Sequence, residues 1–208
     1  KEEVKKVSLF MVGDALIHDP IYKGAYDSAT KTYDFRPMLE FVKPISSTYD
    51  LAFYNQETIL GGAELGLSGW PSFNSPYEVG DAFIDAGFNM VSTATNHTYD
   101  KKEKGVINSC NYWAKKDNVY MSGTKLNGEE SDVKIFEKNG IKFAYVAYTK
   151  GLNGNVLPKG KEYLVNVFSY DKAKTDIESV RDKVDFVIVS MHLGKAVSYT
   201  HLTLPTNS

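Results

Sequence analysis

The amino-acid sequence predicts one α/β domain built on a mixed sheet, and three observations support this fold class. Four short apolar runs have the length and composition of buried strands, and polar residues follow each of them directly. Amphipathic segments with helical periodicity lie between the runs, as expected for βαβ units. An Asn139–Gly140 pair between two stretches of alternating polarity adds an antiparallel hairpin.

The N-terminal part of the chain begins with a predicted strand over residues 7–12. A helix-like stretch over residues 38–42 follows, and Pro44 is expected to bend or stop it. The second strand is predicted over residues 51–54. The glycine-rich loop over residues 61–69 either gives the backbone freedom beside a ligand or forms a surface excursion, and both alternatives stay open.

The middle of the chain contains two predicted helices and the third strand. The first helix starts with Ser75 as its N-cap and Pro76 as its first helical residue, and Gly87 ends it. The third strand, residues 89–94, follows at once. The second helix covers residues 106–116, where the single cysteine lies on the apolar face and is expected to be buried.

The C-terminal part combines the hairpin with one more helix and one more strand. Alternating polarity on both sides of Asn139–Gly140 predicts the two hairpin strands. The helix is expected to begin at Asp171 as its N-cap. The predicted ranges are 133–136 and 141–148 for the hairpin, 164–168 for a short strand, 171–184 for the helix and 186–189 for the last strand.

Residues 1–195 are predicted to form one domain that is incomplete at its C-terminus. Residues 196–208 lack the helix and strand expected after a buried strand, and we interpret them as a non-native tail. A sheet truncated in this way would expose an edge, so we expect low stability or aggregation. The chain begins with a charged segment and no Met, which leaves a signal or anchor upstream of it as an open alternative.

Charge and composition argue against several classes of function. The formal net charge of −2 provides no basic surface for DNA or RNA, so we expect no nucleic-acid partner. No apolar run is long enough to span a membrane. The single cysteine excludes an intrachain disulfide, but it does not decide the compartment.

Metal-binding and proton-transferring residues follow all four apolar strands. Because α/β proteins bind ligands at the carboxyl ends of their strands, we expect these residues to share one site. Each residue alone is weak evidence, since strand-end Asp residues and Asn–His pairs are common in loops. The candidates are Asp14, His18, Asn55, Glu57, Asn96, His97, Asp100 and His192.

The chemistry of these groups indicates a metal-dependent site. Carboxylate, amide and imidazole ligands together suit Mn, Zn or Fe better than a lone Ca. Two such ions a few ångströms apart can activate water and hold a phosphoryl group, and Asp14 or Glu57 could bridge them. A contact between His97 and Asp100 would fix the tautomer of the histidine, which could then protonate a leaving group.

The order of the motifs resembles that of the bacterial capsule-synthesis CapA-like family, from Val7 to about Gly194. The matching motifs are Gly13–Asp14 with His18, Asp50 with Asn55 and Glu57, Asn96–His97 with Asp100 and Gly105, and Met191–His192 with Gly194. This family is linked to poly-γ-glutamate capsule production, and its fold is similar to that of the calcineurin-like metallophosphoesterases. The resemblance therefore implies a mixed-sheet αββα sandwich.

The resemblance also implies roles for individual residues. Asn55 and Glu57 stand where the phosphoesterases have a bridging carboxylate, so Glu57 would supply the charge. His97 would face the leaving oxygen, with Asp100 as its partner. After His192 the family usually has Trp-Gly and an acidic residue, where this chain has Leu-Gly-Lys, and a later Gly-His-x-His-type segment is absent. The implied ligands of one or two divalent ions are Asp14, His18, Asn55, Glu57, Asn96 and His192.

Two functions stay open at this point. The first is a metal-dependent hydrolase that acts on a phosphoester, or on an amide or ester of an anionic cell-surface polymer. The second is a non-catalytic polymer-binding or scaffold component of a capsule synthesis or export complex, in which Lys101, Lys102 and Lys104 could line a groove. The resemblance implies an extracellular, membrane-associated protein of Gram-positive bacteria. A segment outside this chain would anchor it, and membrane-bound capsule synthase components would be its partners.

Overall fold

The computed structural model describes residues 4–193, which form two facing β-sheets with helices on the outer faces, and a separate two-stranded ribbon. The strands are β1 Leu9–Asp14, β2 Tyr26–Asp27, β3 Thr32–Tyr33, β4 Leu51–Asn55, β5 Met90–Ser92, β6 Tyr120–Ser122, β7 Lys134–Lys138, β8 Ile141–Thr149 and β9 Phe186–His192. The helices are α1 Asp19–Gly24, α2 Lys43–Ser46, α3 Glu78–Asp85, α4 Lys102–Trp113 and α5 Tyr170–Val180, with short 3-10 turns between them. Gly194 to Ser208, including the predicted tail, lie outside the described residues.

The first sheet is parallel and has the strand order β1-β4-β5-β6. Leu9 pairs with Leu51 and Phe53 pairs with Met90, so the apolar runs identified in the sequence lie side by side. All of β4 and β5 is buried, as expected for central strands covered on both faces. Because the four strands are parallel, their carboxyl ends lie along one edge of the sheet.

The second sheet has the order β7-β8-β9 and combines the predicted hairpin with a parallel pair. Asn139 and Gly140 have φ of 49° and 73°, the left-handed conformations that a two-residue hairpin turn requires. In the parallel pair, Thr149 lies opposite His192, so β8 and β9 end at the same point. The mixed sheet predicted from the sequence is therefore present.

Three apolar layers hold the sandwich together. Between the sheets, Phe53 and Met90 from the first pack with Tyr145 from the second. The outer face of the first sheet packs against α3 and α4, and the outer face of the second packs against α5. This is the predicted αββα arrangement. Cys110 is buried, as predicted for the apolar face of α4.

Several local predictions were wrong. Ser75 does not cap α3, which starts at Glu78, because its hydroxyl pairs with the Thr58 hydroxyl at 2.8 Å. Ser169, not Asp171, is the N-cap of α5, where its Oγ accepts the Lys172 N–H at 3.2 Å. The sequence patterns also gave no indication of the short elements α1, β2, β3 and β6. The predicted strand over residues 164–168 contains only isolated bridges, of Val165 with Thr124 and of Val167 with Thr149.

The glycine-rich loop after β4 is held in place by the buried side chain of Asn74. Its Nδ2 donates to the carbonyl oxygens of Gly62 and Gly66 at 2.9 and 3.0 Å, and its Oδ1 accepts the Gly61 N–H at 3.0 Å. The loop is therefore a defined part of the structure, and the buried Gly61 N–H and Gly62 carbonyl both have a partner.

Replacing Asn74 by Ala is expected to destabilise the protein by about 2–4 kcal/mol, because three hydrogen bonds are lost and two of the freed partners, the Gly61 N–H and the Gly62 carbonyl, stay buried. Urea unfolding would measure the change. Asn127→Ala is the matched control, since the Asn127 side chain accepts one exposed hydrogen bond, from the Glu129 N–H. Equal stability of Asn74→Ala and the control would contradict the role of Asn74.

Asp50 lies at the start of β4, away from the strand ends that carry the candidate site. Its carboxylate accepts hydrogen bonds from the Ser8 N–H at 2.8 Å and from Asn139 Nδ2 at 2.9 Å. The Ser8 N–H, followed by Asn139 and the Ser8 hydroxyl, lowers the pKa of Asp50 to about 2. Asp50 therefore connects β1 and β4 with the hairpin turn of the other sheet.

Because the pKa of Asp50 is lower in the folded chain than the ordinary value of 3.8, the charged form stabilises the fold. This contribution is complete above about pH 4 and is lost as the pH falls toward 2. Thermal melts of the wild type and Asp50→Asn should therefore differ most above pH 4 and converge near pH 2. A difference between the two proteins that stays constant over this range would contradict the assignment.

Within residues 4–193, none of the helices has both the length and the apolar character needed to cross a membrane. Apolar side chains are nevertheless exposed on β1 and β9, each of which is an edge strand of its sheet in the described part of the chain. Met11 and Phe186 are 49% and 56% exposed. The predicted tendency to aggregate through an open sheet edge stays a prediction.

Candidate active site

The carboxyl ends of β1, β4, β5 and β9 bring their polar residues together at one end of the sandwich. Asp14 ends β1, Asn55 ends β4 and His192 ends β9. Glu57 and Asn96 follow β4 and β5 in the loops at this end. We refer to Asp14, Asn55, Glu57, Asn96 and His192 as the strand-end cluster.

Asn55 connects Asp14 with His192 across the two sheets. Its Nδ2 donates to Asp14 Oδ1 at 2.6 Å and lies 3.1 Å from Nδ1 of His192. Its other amide atom, Oδ1, is buried and has no hydrogen-bond partner among the described residues. An unpaired buried acceptor is costly and is satisfied by a bound water or cation.

His192 lies at the centre of the strand-end cluster. Its Nε2 is 2.8 Å from Oδ1 of Asn96 and 3.8 Å from Oε1 of Glu57, while its Nδ1 is 3.8 Å from Oδ1 of Asp14. A neutral ring with the proton on Nε2 donates to Asn96 and accepts from Asn55. Burial lowers the pKa of His192 below its ordinary value, which favours this neutral form.

Glu57 is the buried carboxylate of the cluster, with 12% of its side chain exposed, against 48% for Asp14. Burial, followed by the nearby Asp14 carboxylate, raises the pKa of Glu57 to about 7, while His97 opposes the shift. Two acidic groups are thus held close together in a partly dehydrated site. A divalent cation would neutralise such a pair.

His97 and Asp100 form a buried pair beside the strand-end cluster. Nδ1 of His97 is 2.7 Å from Oδ2 of Asp100, and 5% and 4% of the two side chains are exposed. The same carboxylate oxygen accepts the Phe73 N–H at 2.8 Å. With Nδ1–H donating to Asp100, the carboxylate fixes the histidine tautomer and leaves Nε2 as the second functional atom.

His18 stands apart from the strand-end cluster. Its ring packs edge-on against Phe73 with centroids 4.9 Å apart, and Phe73 packs in the same way against His97 at 4.6 Å. Within residues 4–193, the His18 side chain makes no hydrogen bond to the five cluster residues. Its role as a companion ligand of Asp14 stays a prediction.

Two residues of this region were not identified from the sequence. Phe73 separates the rings of His18 and His97. Asn153, in the loop after β8, accepts a hydrogen bond from Asn96 Nδ2 at 3.1 Å, and its own Nδ2 lies 3.4 Å from Nδ1 of His97. A position near the site is expected for the loop after β8, because β8 is parallel to β9 and both strands end at the same edge of their sheet.

The strand-end cluster has the donor set of a transition-metal site. Ligands bonded to one ion at about 2.0–2.2 Å lie about 3–4 Å from each other. In His192, Nδ1 is 3.8 Å from Asp14 Oδ1 and Nε2 is 3.8 Å from Glu57 Oε1, so either nitrogen could share an ion with one of the two carboxylates. The unpaired Oδ1 of Asn55 adds a free acceptor. However, no three His, Cys, Asp or Glu side chains in residues 4–193 are already arranged around a cation position. The residues therefore fit a metal in their chemistry, and the amides of Asn55 and Asn96 would have to complete the ligand set.

Comparison with known proteins gives a family and a fold. The sequence profile described as "Bacterial capsule synthesis protein PGA_cap" matches residues 8–203. A comparison with curated proteins found no match.

Two solved structures resemble this chain. A phosphatase from Mycoplasma pneumoniae is 15% identical with a TM-score of 0.50, and the match covers 92% of this chain and 57% of that one. A protein assigned as a 5′-nucleotidase from Staphylococcus aureus is 13% identical with a TM-score of 0.54, and the match covers 90% of this chain and 37% of that one. These likenesses confirm the predicted metallophosphoesterase-like fold, and this chain spans only about half the length of these proteins or less.

Proposed function

Because the chain belongs to the bacterial capsule synthesis protein family PGA_cap, we propose that it is the metal-dependent hydrolase domain of a capsule biosynthesis protein. The observation that supports this proposal most strongly is the meeting of Asp14, Asn55, Glu57, Asn96 and His192 at one end of the sandwich, with the His97–Asp100 pair beside them. Two carboxylates, an imidazole and two amides suit a divalent ion such as Mn, Zn or Fe.

Each group of residues would have a separate task in hydrolysis. Asp14, Asn55, Glu57, Asn96 and His192 would hold one or two divalent ions. A bound ion supplies a Lewis acid for the phosphoryl oxygens and lowers the pKa of water. Asp100 holds the imidazole of His97 in one tautomer and orientation. His97 would then deliver a proton to the leaving oxygen, as a general acid.

The substrate and the setting are further parts of the proposal. The substrate would be a phosphoester, or an amide or ester of an anionic cell-surface polymer such as poly-γ-glutamate. Membership of a capsule synthesis family supports a place at the cell surface. There, a segment outside this chain would attach the protein to the membrane beside capsule synthase components, in a Gram-positive bacterium.

The test is the hydrolysis of p-nitrophenyl phosphate by chelated protein before and after addition of Mn²⁺. We expect turnover only with the metal, and its loss in Asp14→Asn. Asp85→Asn is the matched control, because the Asp85 carboxylate pairs with Lys43 on the surface, away from the site. Activity that is the same with and without metal, or an equal loss in both variants, would contradict the proposal.

A non-catalytic, polymer-binding domain is the second candidate function. Two observations favour it: the His97 and Asp100 side chains are almost fully buried, and no ready-made metal site of three His, Cys, Asp or Glu residues exists within residues 4–193. Lys102 and Lys104 are exposed at the start of α4, close in sequence to His97, and could contact a polyanion. Binding of poly-γ-glutamate by the chelated protein, without Mn²⁺ uptake, would favour this function over hydrolysis.

A further inference from the structure

Asn96 is useful to the strand-end cluster in only one of its two amide orientations. Its Oδ1 lies 2.8 Å from Nε2 of His192, on the side where a cation would be held. A rotation of the amide by 180° would place the NH₂ group there instead, and an NH₂ group cannot ligate a metal. Some neighbouring group must therefore favour the orientation in which the oxygen faces His192.

Asn153 is placed to do this from the opposite side. Its Oδ1 accepts the Nδ2–H of Asn96 at 3.1 Å, and this bond exists only when the Asn96 oxygen faces His192. The NH₂ group of Asn153 lies 3.4 Å from Nδ1 of His97. One side chain thus contacts both the proposed ligand Asn96 and the proposed general acid.

The loop that carries Asn153 is built to hold this side chain. Leu152, immediately before it, is buried against Tyr99 and Val106, and Lys102 bonds the side chain of Asn155 just after it. Asn153 itself has φ of 51°, a left-handed conformation that Asn tolerates better than most residues. The backbone is therefore anchored on both sides of a residue type that suits this conformation.

We propose that Asn153 is a positioning residue that fixes the Asn96 carboxamide with its oxygen toward the proposed metal ion. This inference rests on the proposed metal-dependent function and adds a residue from the loop after β8 to a site otherwise formed at the ends of β1, β4, β5 and β9. Asn153 acts through Asn96, as residues behind the direct ligands do in many metal sites.

The test compares Mn²⁺ affinity by calorimetry and Mn²⁺ paramagnetic resonance in three variants of the full chain. Asn153→Gly removes the side chain without backbone strain, and we expect it to bind Mn²⁺ about 10- to 100-fold more weakly. Asn153→Asp keeps an acceptor for Asn96 Nδ2 and should bind at least as tightly as the wild type. Val156→Ala changes an exposed side chain of the same loop without touching Asn96 and should leave the affinity unchanged. The proposal is overturned if Asn153→Gly binds like the wild type, or if Asn153→Asp binds as weakly as Asn153→Gly.

A second measurement separates this inference from the proposed function. The side-chain amide resonances of Asn96 in ¹⁵N-labelled, metal-free protein should shift in Asn153→Gly and stay in place in Val156→Ala. If the wild type takes up no Mn²⁺, the hydrolase proposal fails. The Asn96 amide resonances then provide the only test of the positioning role of Asn153. Unchanged Asn96 resonances in Asn153→Gly would reject it.

Discussion

Replacement of His97 by Asn is expected to slow metal-dependent phosphoester hydrolysis by about 10²- to 10⁴-fold, the usual contribution of a general acid or base. Asn is chosen because its Nδ2 can take the place of the histidine Nδ1–H, which is 2.7 Å from Asp100 in the wild type. The buried Asp100 carboxylate then still accepts a hydrogen bond from residue 97, and the substitution removes the Nε2 atom that would donate the proton. The measurement is the steady-state rate with saturating Mn²⁺.

The leaving group distinguishes proton donation from a structural effect. An alkyl phosphate needs protonation of its leaving oxygen, whereas p-nitrophenolate leaves without it, so the loss in His97→Asn should be much larger for the alkyl substrate. Mn²⁺ affinity should stay near that of the wild type, because His97 is outside the strand-end cluster. Equal losses for both substrates would show that His97 is not the general acid.

The second large effect is expected at Glu57, where replacement by Gln should change metal affinity and metal-free stability in opposite directions. Mn²⁺ affinity should fall at least 10-fold, since the variant loses a charged oxygen ligand. Without metal, the variant should be more stable than the wild type, because a neutral amide replaces a buried carboxylate that lies near Asp14. Calorimetric titration and urea unfolding after chelation measure the two effects.

Glu64→Gln provides the matched control for this pair of effects. The Glu64 carboxylate accepts an exposed hydrogen bond from the Tyr77 hydroxyl at 2.8 Å and lies outside the strand-end cluster. It should leave Mn²⁺ affinity unchanged and should not stabilise the chelated protein. A Glu57→Gln variant that loses stability without metal, or that binds Mn²⁺ like the wild type, would place Glu57 outside the metal site.

The central strands could be predicted from the sequence because their burial on both faces makes each of them a continuous apolar run. β4 and β5 show this directly. β6 could not be found in the same way, since Tyr120 and Met121 are only half buried and its three residues form no apolar run. The helix start at Ser75 was wrong for a different reason: a tertiary contact with Thr58 engages the hydroxyl that the local pattern assigns to a cap.

The strand-end residues of the site could be predicted for a similar reason, because parallel strands place their carboxyl ends together whatever the details of packing. Asp14, Asn55 and His192 are brought together on this basis. The contributions of Phe73 and Asn153 depend on how two loops fold back over the strand ends. The end of β8 predicts that the loop after it starts near the site, and the Asn153–Gly154 pair is a local turn signal, but no period or spacing records how the side chains turn toward His97 and Asn96.

The position of His192 has a mechanical consequence for the whole sandwich. His192 ends a strand of one sheet, while Asp14 and Asn55 end strands of the other. Their contacts therefore join the two sheets at the carboxyl ends of the strands. An ion bound there would act as a cross-link between the layers, and its binding energy would add to the resistance of the sandwich against opening. Chelation should then loosen this end first, with faster amide hydrogen exchange in β9 than in β4.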